Sequence, residues 1–374
     1  MPYTRRVPLT IFATSDLHLG MKFAGLPDVQ AELAEARFAC LERIVAAANG
    51  RAVDLLLVAG DLFHAANPVK RDVLRAAGVL RGFEGRLAAV LPGNHDYLSP
   101  GRDTLWPAFR DAGGDRVLVL DEARSYPLAH FDLDACLYPG PCRRKHSETN
   151  AIEWVKTAGR HAGSRHHVGV AHGSLAGVSP DLEGSYYPMR EEELLAAGLD
   201  LWVVGHTHLR YPERPGRASR IFIPGTPEPD GYDCDHPGGA WILALDDGSV
   251  SAEPIETGAY RFVHETPGSV SVPDLAALAA RHAGPGAALE VLKVRLSGRI
   301  ARGERGRLAE TAGALRARVL HLDWDDSAVR ESLDRSAIDA EYAAGSFPHR
   351  LLASLLDDPE ALEIAHEALE EARS

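Results

Sequence analysis

Residues of the types that bind metal ions occur in five short groups, each placed just after a run of apolar residues. In two of the groups the ligand-type side chains are two positions apart, so in an extended chain both point the same way and can bind one ion. Each group alone is a weak signal, because such short combinations often occur by chance. Together they are much more specific, and they are Asp16-Leu17-His18, Gly60-Asp61, Gly93-Asn94-His95-Asp96, His172-Gly173 and Gly205-His206-Thr207-His208.

The seven predicted metal ligands provide two carboxylates, one amide oxygen and four imidazoles. This set of hard and borderline donors suits Mn²⁺, Fe²⁺ or Zn²⁺ better than Ca²⁺. Seven donors are too many for one ion, and a bridging carboxylate allows two ions to bind about 3.5 to 4 Å apart. Such a pair binds phosphate oxygens and acidifies a shared water to hydroxide, so we predict hydrolysis of a phosphate ester. The ligands are Asp16, His18, Asp61, Asn94, His172, His206 and His208, with Asp61 as the natural bridge.

A glycine stands shortly before the ligand-type residues in three of the groups, at Gly60, Gly93 and Gly205. Glycine lets the backbone turn sharply because it has no side chain to clash. We therefore expect these residues to form tight turns between each strand and the metal-binding side chain that follows it.

Strands and helices alternate in the first part of the chain, and these elements must bring the five groups together. Strands are predicted at 7–13, 53–59, 87–91, 117–120, 135–138, 167–171, 201–204, 221–223 and 240–245, and helices at 28–49 with Asp28 as the cap, 68–83, 148–161 and 189–197. Ligands of α/β proteins bind at the carboxyl ends of strands, where the groups can converge. So many strands favour two sheets packed face to face with helices outside, a layered α/β sandwich.

The remainder of the chain predicts smaller modules, since 374 residues exceed the usual size of one hydrophobic core. Residues 266–273 have the composition of a connection. A small α+β unit is predicted at 274–325, in the order helix, strand at 289–296, Arg/Gly-rich loop at 297–307, helix at 308–315 and strand at 319–324. From Asp326 the chain is predicted to be helical, and Asp358 and Pro359 suit a helix start. The expected domains are 1–265, 266–325 and 326–374.

Composition and charge restrict the class of protein. The net charge of −13 is the wrong sign for a protein that coats nucleic acid, so any such binding must be local. The four cysteines lack Cys-x-x-Cys spacing, which indicates reduced thiols rather than a disulfide framework or a structural zinc site. The sequence contains neither an apolar run of the roughly 20 residues that span a bilayer nor a signal-peptide pattern. We therefore expect a cytoplasmic protein that makes no contact with a membrane.

The ordered set of five groups resembles the calcineurin-like metallophosphoesterase superfamily, over residues from about 8 to about 262. The resemblance implies a β-sandwich flanked by helices, with a dinuclear metal centre. It also implies two metal sites that share one ligand. Asp16, His18 and His208 would hold the first ion, Asn94, His172 and His206 the second, and Asp61 would bridge them. By the same resemblance His95 stays unligated and acts on the leaving oxygen, with Asp96 orienting it.

Two further segments narrow the resemblance to the DNA-repair exonuclease branch, which includes bacterial SbcD and its archaeal and eukaryotic counterparts. They are Gly60-Asp61-Leu62-Phe63-His64 and the sequence Ile-Pro-Gly-Thr-Pro-Glu-Pro at 223–229. The branch implies a Mn²⁺-dependent DNA exonuclease and endonuclease in which His64 helps to position the DNA end. It further implies a capping module at 266–325 and a helical tail that binds an SbcC-like ATPase. A homodimer is a separate expectation.

Several alternatives stay open from the residues alone. The same centre would serve a phosphoprotein, a cyclic nucleotide or another small phosphate ester, and a third hypothesis is a nuclease-like subunit that only anchors an ATPase. His64 is also compatible with a capped loop or with contact to a carboxylate behind the ligands. The basic runs at 143–146 and 299–307 are read either as phosphate contacts or as solvated loops. Cys234-Asp235-His236 has no predicted partners.

Overall fold

The computed structural model describes residues 8–99, 101, 104–181, 183–268, 270–301 and 303–372. The backbone divides into two compact units, the first ending at Phe262 and the second beginning at Val263. Among the described residues, no helix is both long enough and apolar enough to cross a membrane.

The first unit alternates strands with helices, as the sequence predicts. Its strands are β1 (Leu9–Thr14), β2 (Leu55–Ala59), β3 (Leu87–Leu91), β4 (Val117–Val119), β5 (Tyr126–Pro127), β6 (Ala135–Gly140), β7 (His166–His172), β8 (Leu201–Gly205), β9 (Ile221–Phe222), β10 (Ala240–Asp246) and β11 (Ser249–Ile255). Its helices are α1 (Gln30–Gly50), α2 (Lys70–Arg81), α3 (Leu105–Gly113), α4 (Val155–Ala158) and α5 (Glu191–Ala196). Every strand predicted in this part of the sequence is present, with its ends shifted by at most two residues.

In the described part of the chain, these strands form two sheets. The first has the order β11-β10-β1-β2-β3-β4, and the second has the order β5-β6-β7-β8-β9. Neighbouring strands run parallel from β1 to β4 and from β6 to β9. The sheets pack face to face, because a single apolar cluster contains residues of β2 and β3 together with Val170 of β7 and Val203 of β8. The predicted layered sandwich is therefore confirmed.

Strand β2 shows why its sequence has no polar alternation. Leu55, Leu57 and Ala59 point into the core between the sheets, whereas Leu56 and Val58 belong to the cluster beneath α1, α2 and α3. Both faces are covered, so every residue of this strand is buried. Helices α4 and α5 cover the outer face of the second sheet through a separate apolar cluster. The sandwich is thus flanked by helices on both sides.

Two local predictions in this unit are wrong, and strands β5 and β11 and helix α3 were not predicted. The helix expected at 148–161 is reduced to α4, because Ser147 pairs with Tyr186 in a β-bridge and Gly159 ends the helix at a φ of 66°. Asp28 does not cap α1, whose N-cap position is Val29 and has no side-chain hydrogen bond. Strand β11 was not predicted because its sequence is not an apolar run. It pairs with β10 at the edge of its sheet and carries polar residues on its exposed face.

The second unit begins within β12 (Arg261–Glu265) and continues with α6 (Val272–Arg281), β13 (Glu290–Ile300), α7 (Gly306–Arg316) and β14 (His321–Glu331). Its sheet has the order β12-β13-β14, and apolar residues of α6 and α7 share its core. Helices α8 (Arg335–Glu341), α9 (Phe347–Ser354) and α10 (Pro359–Glu371) follow and form a cluster of their own. The small α+β unit and the helical end thus occur in the predicted order.

Details of the second unit differ from expectation. Strand β14 runs to Glu331, so the helical region does not begin at Asp326, and β13 extends to Ile300 because it pairs with β14 along that length. The start of α10 is as predicted, since the Ala361 N–H donates to the Asp358 carboxylate at 3.1 Å. The domain boundaries at 265 and 325 stay predictions.

Candidate metal centre

The five predicted groups lie at the carboxyl ends of strands in both sheets. Asp61 follows β2, His172 ends β7, and the His172 Nδ1 lies 2.9 Å from the carbonyl oxygen of Ala59 at the end of β2. The backbone N–H of His206, just after β8, donates to both carboxylate oxygens of Asp16 at 3.1 Å. These contacts join the ends of the two sheets at one place. The sandwich therefore brings together residues almost two hundred positions apart.

The backbone at the centre adopts conformations that ordinary residues avoid. Asp16, His18, Asp61 and His206 have φ values of 55°, 46°, 53° and 95°. Left-handed backbone at such residues costs about 1 to 3 kcal/mol each and persists only where the surroundings enforce it. Here the Asp16 N–H donates to the Gly60 carbonyl at 3.1 Å, and the His18 N–H donates to the Asp61 carbonyl at 2.9 Å. Such concentrated strain is typical of a functional site.

The three glycines serve close approach more than turning. Of the three, only Gly60 has a positive φ, at 93°. A methyl group on Gly93 would lie 2.2 Å from an Asp61 carboxylate oxygen, and one on Gly205 would lie 2.0 Å from the Ala59 carbonyl oxygen. The prediction of tight turns thus holds for Gly60, whereas Gly93 and Gly205 are required because the strand ends pack against each other without room for a side chain.

One half of the centre contains Asp16, His18 and His208, whose ligand atoms all lie within 4.8 Å of one another. The two imidazoles face each other, with their Nε2 atoms 3.1 Å apart. The His208 Nε2 lies 3.9 Å from Asp16 Oδ1. Three donors at this spacing surround a volume in which a single cation can contact all of them.

The other half contains Asn94, His172 and His206. The Asn94 Oδ1 lies 2.9 Å from His172 Nε2 and 3.3 Å from His206 Nδ1. The Asp61 Oδ2 lies 3.3 Å from His172 Nε2 and 3.6 Å from His18 Nε2 in the first half. One carboxylate oxygen is therefore shared between the two halves, which is the arrangement a bridging ligand requires.

The hydrogen bonds of the outer imidazole nitrogens show that these residues fit metal ions. A carbonyl oxygen only accepts, so the proton of His172 sits on Nδ1, facing Ala59. The His208 Nδ1 likewise faces a carboxylate oxygen of Asp230 at 3.1 Å. The Nε2 of each ring is then an acceptor, and it faces further acceptor atoms. These atoms repel one another unless a positive charge lies between them. A divalent cation in each half satisfies that requirement.

The electrostatics of the centre point the same way. Burial alone would lower the pKa of His172, but the neighbouring Asp61 carboxylate outweighs it and raises that pKa to about 9. Burial acts similarly at His208, where a hydrogen bond to Asp230 raises the pKa to about 9. Burial would raise the pKa of Asp61, yet the adjacent imidazoles hold it well below its usual range. The Asp61 carboxylate is thus ionised and needs nearby positive charge, from protons or from metal ions.

His95 is held at the edge of the centre. Its backbone N–H donates to Asp61 Oδ1 at 2.8 Å, and its Nδ1 lies 3.0 Å from the carbonyl oxygen of His64. The proton therefore sits on Nδ1, and Nε2 is left for another partner. The His64 ring is half-buried, with its centroid 5.2 Å from that of His95 and 5.3 Å from that of His18. His64 thus belongs to the site, and its backbone positions His95.

Asp96 has a different role from the one the resemblance implies. Its carboxylate accepts the N–H groups of Phe63 at 2.9 Å and Gly93 at 2.7 Å. These bonds join the loop that follows β2 to the loop that follows β3. The orientation of the His95 ring comes from the carbonyl of His64, so the expectation that Asp96 orients this ring is corrected.

Two functional residues were missed at the sequence level. Asp230 contacts His208, as described above, and Arg37 of α1 is almost fully buried beneath the loop that carries the first predicted ligands, Asp16 and His18. The Arg37 guanidinium donates to the Leu17 carbonyl at 2.6 Å and lies 3.6 Å from Asp230. An arginine within the apolar face of an amphipathic helix is the signal that could have identified it.

The segment 223–229 supports the same loop. The Thr226 hydroxyl donates to the Asp16 carbonyl at 3.1 Å, and the Glu228 carbonyl accepts from Arg37 at 3.0 Å. The Glu228 carboxylate pairs with Arg43 of α1 at 2.6 Å. A segment noticed for its resemblance to nucleases therefore braces the strained backbone of Asp16.

The Cys234-Asp235-His236 sequence also finds partners in the structure. The His236 Nε2 donates to the carbonyl of His208 at 2.6 Å and lies 3.2 Å from the Cys234 sulfur. This histidine therefore fixes the backbone next to a predicted ligand. Cys234 is buried and unpaired, as are the other three cysteines, in agreement with the prediction of reduced thiols.

Comparison with known families identifies the class. The family model for calcineurin-like phosphoesterases matches residues 9–210, which is more than half of the 374 residues. The chain therefore belongs to the calcineurin-like phosphoesterase family. Members of this family use two metal ions, in agreement with the paired clusters of the site.

Among individual proteins, the chain is similar to YhaO of Bacillus subtilis (strain 168), an uncharacterized metallophosphoesterase. The two are 27% identical over 263 residues, which cover 66% of this chain and 59% of YhaO. The match thus spans only about 59% of the length of that relative. Among solved structures, TT1561 of Thermus thermophilus is 14% identical with a TM-score of 0.38, covering 66% of this chain and 99% of that one. Purple acid phosphatase PPD1 of yellow lupin is 13% identical with a TM-score of 0.40, covering 67% and 52%.

Proposed function

We propose that this phosphoesterase is a Mn²⁺-dependent DNA nuclease, an exonuclease and endonuclease that hydrolyses phosphodiester bonds in DNA repair. The observation that carries the proposal is the convergence of the predicted ligands in one largely buried cluster with His95 fixed at its edge. The Gly60–His64 and 223–229 segments, which are similar to those of repair exonucleases, support DNA as the substrate.

The proposed ligand assignment follows the two halves of the cluster. Asp16, His18 and His208 would hold one ion, Asn94, His172 and His206 the other, and Asp61 would bridge them. Ions bound there polarise phosphate oxygens and lower the pKa of water. The protein contributes ring orientation, through Ala59 behind His172 and Asp230 behind His208.

His95 is proposed to act on the leaving group. Cleavage of DNA releases an alkoxide, which leaves readily only when it receives a proton. The Nδ1 of His95 is engaged by the His64 carbonyl, so Nε2 is the nitrogen that can hold a proton for the leaving oxygen. The backbone bond from His95 to Asp61 keeps the ring beside the reacting phosphate. General acid catalysis of this kind contributes roughly 10²- to 10⁴-fold in rate.

The test is degradation of end-labelled linear duplex DNA with Mn²⁺, compared with EDTA and with His95→Ala. The matched control is His130→Ala. His130 is exposed and lies before the start of β6, whereas the site lies at the carboxyl ends of the strands. We expect His95→Ala to slow DNA cleavage by about 10²- to 10⁴-fold. Cleavage of bis(p-nitrophenyl) phosphate should fall less, because nitrophenolate leaves without a proton. Hydrolysis of this reporter together with intact DNA would retire the DNA substrate and keep the metal centre.

A second candidate substrate class has its own supporting observation. A cavity of about 480 Å³ adjoins His206 and His208, and four of its lining residues are the aspartates Asp181, Asp230, Asp233 and Asp235. An acidic wall repels a continuous phosphate backbone and suits a compact substrate with an uncharged or cationic leaving group. A phosphoprotein, a cyclic nucleotide or another small phosphate ester is therefore the alternative, and hydrolysis of one of these with intact DNA would favour it.

The partners implied by the DNA-repair branch remain proposals as well. An SbcC-like ATPase would bind the helical end of the second unit, where Phe347 and Ile364 are 66% and 64% exposed. A homodimer is the other proposed assembly. Both are tested by co-purification with Phe347→Glu and Ile364→Glu variants and by measurement of mass in solution.

A further inference from the structure

The two basic runs of the sequence, at 143–146 and 299–307, differ in the contacts of their side chains. In the run at 299–307, Arg299 and Arg305 donate to the carbonyls of Glu331 and Val329, and Arg307 pairs with Glu310 at 2.9 Å. These guanidinium groups are used within the second unit. This run therefore has the contacts expected of a structural element.

The run at 143–145 is different, and we name Arg143, Arg144 and Lys145 the basic rim. All three are exposed. In the parts of the chain that the structure describes, none of the three side chains has a carboxylate within 4.0 Å. Three adjacent unpaired cations are unexpected in a protein of net charge −13, where acidic groups are plentiful. Their positive charge is left available for an external anion.

The backbone of the basic rim is held in place. The Tyr187 hydroxyl accepts the N–H groups of Arg143 and Arg144 at 3.0 Å and donates to the Arg144 carbonyl at 2.8 Å. The Tyr187 N–H in turn donates to the Ser147 carbonyl at 2.8 Å. A loop fixed in this way loses little freedom when an anion binds, which favours binding.

The basic rim borders the metal centre. The Lys145 carbonyl accepts from the side-chain amide of Asn94 at 3.3 Å, and the other end of that amide faces the imidazoles of the second half. Next to the rim, the His146 ring lies 4.9 Å from that of Tyr186, which lies 5.0 Å from that of His206. Cations and aromatic faces therefore occur together beside the predicted ligands.

We propose that the basic rim binds the phosphates that flank the scissile bond of a nucleic acid strand, with Tyr186 and His146 as stacking faces for the bases. Backbone phosphates bound by cations and bases stacked on aromatic rings are the usual contacts of single strands. A phosphopeptide would place its one phosphate in the centre and leave the rim without an anion. The inference rests on the proposed nuclease function and identifies where its substrate binds.

The test is binding of a fluorescein-labelled single-stranded oligonucleotide, measured by anisotropy in EDTA over a series of NaCl concentrations. EDTA prevents cleavage, so binding is measured apart from chemistry. We expect Arg144→Ala/Lys145→Ala to weaken binding about tenfold at 0.1 M salt and to lower the slope of log K against log salt by about 1 to 2. Arg214→Ala/Arg217→Ala is the matched control, since both arginines are exposed and lie on the segment that leads back to the start of β9.

Each outcome is decisive. Equal loss in the control variant, an unchanged slope in the rim variant, or absence of oligonucleotide binding to the wild type would overturn the proposal. Tighter binding of an acidic phosphopeptide, lost in the same variant, would overturn the nucleic-acid assignment. If binding depends on the basic rim but the protein leaves DNA intact with Mn²⁺, the proposed role of the basic rim would stand and the proposed nuclease function would be wrong. With Mn²⁺, the ratio of oligonucleotide to reporter hydrolysis should fall about tenfold in the rim variant alone.

Discussion

The core between the sheets and most of the metal centre are both buried, yet they differ in composition, charge and backbone conformation. The core consists of apolar side chains on regular strands, such as Leu57, Val170 and Phe222. The centre consists of carboxylates, an amide and imidazoles on loops and at strand ends, where Asp61 and His206 have positive φ. Burial of each large apolar side chain stabilises the fold by about 1.5 to 3 kcal/mol. Strained backbone and buried charge act against folding.

Burial therefore has two different causes in this protein. At the centre, side chains are buried because chemistry requires them to be close together and shielded, and the rest of the sandwich must hold them there. Substitutions in the core should therefore change the free energy of unfolding, whereas substitutions in the centre should change activity. A core variant that loses activity while folded, or a variant of the centre that keeps full activity, would contradict this division.

The largest expected effect is the loss of the shared carboxylate in Asp61→Asn. This change removes the negative charge that lies between the two halves of the centre. We expect reporter hydrolysis to fall by at least about 10³-fold, equivalent to roughly 4 kcal/mol. Bound metal, measured by elemental analysis after dialysis, should fall below two ions per chain. The control is Asp132→Asn, an exposed aspartate; a variant at Asp61 with full activity and two ions would contradict the shared ligand.

The core counterpart is Leu57→Ala. Leu57 is fully buried on β2, so the cavity should lower the free energy of unfolding by about 2 to 5 kcal/mol in urea titrations. Activity per folded molecule, measured well below the melting temperature, should stay within about threefold. Leu74→Ala on α2 is the control, because Leu74 is 45% exposed and its loss should cost at most about 0.5 kcal/mol. A large loss of activity in folded Leu57→Ala would show that the core and the centre are not separable.

A smaller effect on activity is expected from Asp230→Asn, at the border of the centre. Asp230 accepts from His208 and neighbours Arg37, so its charge helps to orient a predicted ligand. Loss of such a partner reduces metal affinity or activity by roughly 10- to 100-fold. Mn²⁺ titration of the metal-free variant measures this. Asp233→Asn is the control, because Asp233 and Asp230 both line the cavity beside His206 and His208. It should have little effect, and equal effects at both positions would rule out the orienting role of Asp230.

The strands and the ligand groups could be predicted because both depend on short stretches of sequence. β2 is an unbroken apolar run, and Asp61 follows it after a single glycine. Arg37 and Asp230 could not be found in this way. Their partners are carbonyls and side chains of residues that lie far away in the chain, and only the packed sandwich brings them together.

The errors have the same origin. Residues 148–154 show a helical pattern, but the bridge between Ser147 and Tyr186 holds the neighbouring backbone extended. The role implied for Asp96 was wrong because the His95 ring is oriented by a backbone carbonyl, that of His64, whose position no residue type reveals. Predictions from sequence were thus right where periodicity and residue type decide, and wrong where a contact between distant segments decides.

The smallest expected effect tests whether charge or burial separates the two regions. On the surface of α1 and α2, Glu35 pairs with Arg75 at 2.6 Å, and this hydrogen bond holds the pKa of Glu35 below its ordinary value of 4.5. Because the folded pKa is lowered, the pair stabilises the fold above pH 4.5 and stops doing so as pH falls through the folded pKa. Exposed ion pairs contribute at most about 1 kcal/mol. Glu35→Gln should therefore cost less than that at pH 7 in urea unfolding, and the cost should shrink in acid and in high salt, with Glu148→Gln as an exposed control. If Glu35→Gln lowered the free energy of unfolding by several kcal/mol, paired charge would stabilise this protein even where it is exposed. Burial would then not explain the contrast between the apolar core and the charged centre.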